Sequence, residues 1–328
     1  MEIAFVGDVM LGRLVADELR RRPAEFPWGD TLPLLRGVDV LAGNLEFVLA
    51  DDGRPQPGKT FHFRANRAAV RSLEAAGFSL MSVANNHVLD FCADAALESL
   101  ETLADHGIRF SGAGPDAAAA RRPAVLRRDD LTIAMLAFTD NEPGWEAGDE
   151  SPGVRYLPVD LGDARARLLL DDVARERETA DLVIVSAHWG GNWGVEVPRR
   201  HRQFARALVD AGADVVFGHS PHIVRGVEVY RGRPILYGAG DFVDDYAVDP
   251  VERNDRSFVF VLGTGGADPA ELRLYPTEIV DFQARRSRWH AAEIAREMAR
   301  RCGALGTRAE WDDEARCLVI PIPSAPAA

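Results

Sequence analysis

Five short, mostly apolar runs, each stopping on a residue able to bind metal or move protons, constrain this chain more than any other feature. They are residues 3–6, 38–42, 78–84, 181–187 and 215–217. Apolar residues in near-unbroken succession, instead of alternation with polar ones, suit strands covered on both faces. The intervals carry apolar residues at helical spacing, over 66–76, 93–106, 161–178 and 198–211. Three of these segments stop at Gly77, Gly107 and Gly212, as helices commonly do. Strands alternating with helices predict an α/β fold with a largely parallel sheet.

Past residue 222 the pattern changes. Residues 224–230, 234–237, 257–262 and 272–279 read as strands joined by short turns, with Arg231-Gly232 as one hairpin turn. They predict antiparallel pairing and a second sheet packed on the first. Residues 288–301 read as a final helix. No linker divides the chain, so 1–285 reads as one domain, with 286–328 as a helix and tail packed on it. The proline- and alanine-rich end of that tail reads as frayed.

The runs end in Asp8, then Asn44 and Glu46, then Asn86 and His87, then His188, then His219 and His222. In open α/β sheets, ligands bind beyond the carboxyl ends of strands. A lone histidine after a strand is more often packed or solvated than functional. Five such endings in order point to one metal centre. Mixed carboxylate, amide and imidazole donors favour Mn, Zn or Fe over calcium, which takes oxygen ligands alone. One or two divalent ions are expected.

The segments GDVMLGR, GNLE, ANNHVLD, HWG, GHSPH and YGAGDF resemble those of the CapA-type proteins associated with poly-γ-glutamate capsule synthesis. These are a branch of the calcineurin-like metallophosphoesterase superfamily. The resemblance covers about residues 1 to 280. It implies a four-layer α-β-β-α sandwich with metal at the strand ends. It also implies metal ligation by Asp8, Asn44, Glu46, Asn86, His188, His219 and His222, with His87 as acid or transition-state donor. Met10 stands where the superfamily has a ligand histidine, and one residue is inserted between Gly-His and the second histidine. These departures suit one ion held firmly and a second held weakly or not at all. Gly191-Asn192-Trp193 replaces the family's acid-aromatic pair, and Gly240-Asp241-Phe242 replaces Gly-Asn-Phe, which implies a different substrate. Arg13 would hold phosphoryl oxygens. Arg64, Trp189, Trp193 and Asp241 are the candidates for substrate contact, against surface charge for Arg64 and simple packing for the tryptophans.

With 38 basic and 51 acidic side chains the net charge is −13. A nucleic-acid backbone needs a basic face, so the expected partner is a small molecule or peptide. Cys92, Cys302 and Cys317 have no pairing motif and read as reduced. A core strand begins at residue 2, with no leader pattern ahead of it and no apolar run near the roughly 20 residues that span a bilayer. A cytoplasmic protein that does not enter membranes is expected. The leading function is metal-dependent hydrolysis of a phosphoester. The alternatives are amide hydrolysis or proton transfer (epimerisation) on a glutamate-like peptide, and a non-catalytic part in capsule assembly.

Overall fold

The computed structural model describes residues 1–266 and 268–323. Nine strands position the site: β1 (Glu2–Val9), β2 (Val40–Leu45), β3 (Phe78–Ser82), β4 (Leu131–Thr139), β5 (Leu182–His188), β6 (Val215–His219), β7 (Asp241–Val243), β8 (Arg256–Gly265) and β9 (Asp268–Val280). The α/β class read from the sequence is the class observed.

The division into sheets differs from the sequence expectation. The five motif strands do not share one parallel sheet. β1, β2 and β3 lie side by side in a ten-stranded sheet, while β5 and β6 belong to a six-stranded one. Nor do the later antiparallel strands build a sheet of their own. β8 and β9 extend the first sheet next to β1, and the Val227–Tyr230/Arg233–Leu236 hairpin extends the second next to β6. Apolar runs report that a strand is covered, not which strand it pairs with. β4, an unanticipated strand, pairs in parallel with β5 one strand in from the edge of the second sheet. It is as apolar as the others but ends in no histidine that would mark it.

Alternation along the strands separates three cores. Ile3, Phe5 and Leu80 of the first sheet meet Ile133, Ile184 and Phe217 of the second, with the Phe5 and Phe217 rings 5.2 Å apart. The opposite face of the first sheet, with Ala4, Val6 and Met81, packs on helices Val70–Ala76 and Cys92–Asp105 through Leu73 and Leu103. The opposite face of the second, with Leu136, Val183 and Val185, packs on helices Ala164–Arg177 and Arg199–Asp210 through Leu169 and Phe204. The order is helix, sheet, sheet, helix. Helix Ala291–Gly303 joins the core between the sheets, and strand Cys317–Pro321 pairs with β9. Among the described residues no helix is long and apolar enough to cross a membrane. The end of the tail lies outside the described residues.

Gly7 fixes how closely β1 approaches its neighbour. A Cβ there would lie 1.8 Å from the carbonyl oxygen of Gly240, just before β7. That approach is what sets Asp8 beside Asp241 in the ladder. Gly7→Ala should therefore cost about 1–3 kcal/mol or more, as overpacking against backbone does. Gly303→Ala, where a Cβ would meet nothing within 4 Å, should be neutral. Chemical denaturation compares the two, and a Gly7→Ala midpoint equal to wild type would contradict the close approach.

Candidate metal centre

Ladder register builds the centre. In the first sheet Asp8 is flanked by Asn44 on β2 and Asp241 on β7. In the second, His188 is level with His219. Both sheets end at the same place, so Asp8 Oδ1 lies 3.9 Å from His219 Nδ1, and Glu46 Oε2 lies 3.7 Å from His188 Nδ1. Two sets of three donors result: Asp8 with His188 and His219, and Asp8 with His222 and Asp241. Within each set the donor atoms all fall within 4.8 Å of one another. Asp8 belongs to both.

Outer hydrogen bonds aim the imidazoles. His188 Nε2 is 2.9 Å from Asn86 Oδ1, which only accepts, so Nε2 carries the proton and Nδ1 keeps a lone pair. His219 Nε2 is 2.7 Å from the Ser186 hydroxyl, which can accept in the same way. The two Nδ1 atoms face each other at 2.9 Å. Imidazoles oriented from behind, with lone pairs converging, are the arrangement that metal-binding histidines adopt.

The acids lack compensation. Asp8, Glu46, Asp241 and Asp244 are all buried. Burial pushes the Asp8 carboxyl up to about 7, against the pull of His222 and the Asn44 hydrogen bond. Burial, then the charge of Asp8, pushes Glu46 and Asp241 well above the usual carboxylate range. Burial and Asp241 do the same to Asp244. Burial drives the histidines the other way, His219 to about 3 and His188 well below the ordinary value. One carboxylate oxygen each of Asp8, Asp241 and Asp244 is buried with no hydrogen-bond partner among the described residues. Unpaired buried acids are expensive unless a proton or a cation neutralises them. Carboxylate and neutral imidazole together fit a divalent transition metal.

His87 is held differently. Its Nδ1 is 2.6 Å from Asp90, its ring stacks on Phe63 at 4.0 Å, and Nε2 looks inward, 3.8 Å from Glu46. Burial lowers it to about 4, although the hydrogen bond and charge of Asp90 oppose this. Lys59 closes the group, bonding Asp90 and the Asn86 carbonyl, with Nζ 3.3 Å from His87 Nδ1. Sequence reasoning missed Lys59, and a signal was there: it is the only lysine in a chain otherwise using arginine. Above the centre lies a cleft of about 600 Å³ whose walls include Arg13, Lys59, Phe61, His87, Trp193 and Tyr246. Arg13 pairs with Asp245 at 3.3 Å and covers the Phe63 ring.

The structure brings Asp8, His188, His219 and His222 into the two candidate donor sets, leaves Glu46 beside them, 3.7 Å from His188 Nδ1 but in neither set, and places Arg13, His87 and Trp193 at the cleft. Other residues are placed otherwise than expected. Asp241, expected at the substrate, is fully buried and falls in a candidate donor set with Asp8 and His222 and not among the residues lining the cleft. It supplies a carboxylate where Met10, turned into the core, cannot. Asn44 directs its amide nitrogen at Asp8, 2.7 Å away, and at Glu46, while its oxygen accepts from Asn85, so it braces acids instead of facing an ion with oxygen. Asn86 gives its oxygen to His188. Trp189 is not at the cleft: strand alternation points His188 inward and Trp189 into the outer core, its indole bonded to the Tyr237 carbonyl. Arg64 likewise follows the inward Phe63, bonds the Asp51 carbonyl and lies over Phe91, lining another cavity.

Fold and sequence together define a class. The chain matches the family model "Bacterial capsule synthesis protein PGA_cap" over residues 2–246 and belongs to that family, a branch of the calcineurin-like metallophosphoesterases. It is 36% identical to a probable polyglutamine synthesis accessory protein of Mycobacterium tuberculosis, over 81% of this chain and 72% of that one. It is 33% identical to the PGA biosynthesis protein CapA of Bacillus subtilis, over 75% and 63% of the two chains. A hypothetical protein from Thermus thermophilus shares the fold, with TM-score 0.53 and 19% identity over 85% of this chain and 99% of that one.

The shared aspartate gives a test. Asp8→Ala should abolish metal uptake, whereas His222→Ala should lower the ion count by one and spare the His188–His219 set. Protons compete with metal for Asp8, so affinity should fall as pH drops through about 7, roughly tenfold per unit for each proton displaced. Elemental analysis and metal titration measure both. Asp8→Ala that still binds metal stoichiometrically would contradict the assignment.

Proposed function

We propose that the protein is a metal-dependent hydrolase acting on a phosphoester. The observation carrying this reading is the pair of donor sets sharing Asp8 beneath a cleft that carries Arg13, Lys59 and His87. Asp8, His188 and His219 would hold one Mn, Zn or Fe ion, and Asp8, His222 and Asp241 a second. When bound, such ions supply Lewis acidity, which acidifies water and offsets the charge that develops in phosphoryl transfer. Arg13 sets positive charge at the cleft for phosphoryl oxygens, and Lys59, held by Asp90, adds to the field there. Asp90 fixes His87 with its Nδ1–H outward, leaving Nε2 toward the reacting centre. His87 is neutral in this setting, and an anionic ester in the cleft would raise its pKa and load Nε2 with the proton that the leaving oxygen takes. Phe63 and Asp90 hold the ring and exclude water from it.

A second reading replaces the ester by an amide of a glutamate-like peptide, or by proton transfer on one. The names of the Mycobacterium and Bacillus relatives favour it, and the Arg13 and Lys59 charges suit carboxylates as well as phosphate. Product mass separates hydrolysis, which adds water, from epimerisation, which adds nothing.

A panel of phosphomonoesters and phosphodiesters, screened with added manganese, should yield turnover. On a working substrate His87→Ala should keep its metal while activity falls roughly 100-fold or more, the usual size of a lost general acid. His188→Ala should lose metal and activity together. A His87→Ala protein as depleted of metal as His188→Ala would show that His87 is a ligand.

A further inference from the structure

The loop that follows His188, Gly190–Gly194, has its backbone held at every residue. The Gly190 N–H donates to Asp140 Oδ1 at 2.9 Å, and its carbonyl accepts from the Ser220 hydroxyl at 3.3 Å. The Asn192 carbonyl accepts from the His222 N–H at 2.9 Å. The other three carbonyls, of Gly191, Trp193 and Gly194, all accept from the Arg225 guanidinium at 3.2, 3.4 and 3.1 Å. Five consecutive carbonyl oxygens are thus taken by one segment, residues 220–225, which also carries the donor His222. Surface loops ordinarily leave such groups to water. Arg225 is itself buried, 3% exposed, with the acid Asp140 near it. A buried arginine needs a return, and three backbone carbonyls of one glycine-rich loop are what this one contacts.

The loop holds up an indole. Trp193 is 47% exposed, an unusual position for so large an apolar group, yet it lines the cleft and meets the His222 ring edge-on at 5.7 Å. Phe61, 59% exposed, lines the same cleft. An exposed aromatic face on a backbone already ordered binds flat apolar groups without a further ordering cost.

We propose that Arg225 is a positioning residue that presents Trp193 as a rigid specificity wall. The substrate class would be anionic molecules carrying a flat or aromatic group next to the anion. This rests on the reading of the cleft as the substrate site and adds to it the substrate's organic part.

The test uses the metal-loaded full chain and two matched pairs of non-hydrolysable probes: phenylphosphonate with methylphosphonate, and benzoate with acetate. Wild type should bind the aromatic member roughly tenfold tighter, the scale of one aromatic contact. Trp193→Ala should bring the ratio near one, with metal stoichiometry unchanged. Arg225→Lys keeps the charge beside Asp140 but cannot grip three carbonyls, and it should lower the ratio similarly. The double variant should lose no more than either single one, because the two act as a unit. An aromatic preference that depends on Trp193 in the carboxylate pair alone would support the wall and sink the phosphoester reading. A ratio near one for wild type in both pairs, or one that survives Trp193→Ala, would overturn the proposal. So would Arg225→Lys folding normally with the wild-type ratio intact.

Discussion

Everything at this site follows from burying four carboxylates where the protein supplies too little positive charge. Asp8, Glu46, Asp241 and Asp244 meet at the strand ends, and burial raises each well above the usual carboxylate range. The one lysine nearby is committed to Asp90. Neutral histidines do not balance the acids. In such a cluster each acid must either keep a proton or share a cation, since several kcal/mol ride on each uncompensated buried charge.

The sandwich exists in a form that creates that cluster. Each sheet carries part of the centre, the acids on the first and His188 and His219 on the second. Only face-to-face packing through pairs such as Phe5 and Phe217 brings them within a few ångströms. The Gly7–Gly240 contact then sets Asp8 beside Asp241. Behind the donors, polar side chains fix orientation: Asn86 and Ser186 turn the imidazoles, Asn44 braces two acids, and Asp90 turns His87. Stability and function are therefore joined at the inter-sheet core.

Much of this was legible in the sequence because strand ends are local. Apolar runs ending in Asp8, Glu46, His188 and His219 announce both the strands and what they deliver. Pairing is not local, so the assignment of β5 and β6 to a separate sheet could not be read, nor could β4, which ends in nothing that marks it. The side of a strand a residue faces was readable in principle. Trp189 follows an inward histidine and Arg64 an inward phenylalanine, so alternation alone directs both away from the cleft. Lys59 and Asp241 were harder. Their neighbours in space come from elements far along the chain, and only the rarity of lysine hinted at the first.

The central claim is that the strand-end acids and histidines share a divalent ion. Anomalous-difference maps, collected on either side of the manganese and zinc absorption edges from crystals grown with those metals, test it most directly. A peak should lie among Asp8, His188 Nδ1 and His219 Nδ1 at roughly 2.0–2.3 Å from each, with a second, weaker one among Asp8, His222 and Asp241. Maps without a peak at the first position, with the carboxylates instead protonated and paired to one another, would contradict it.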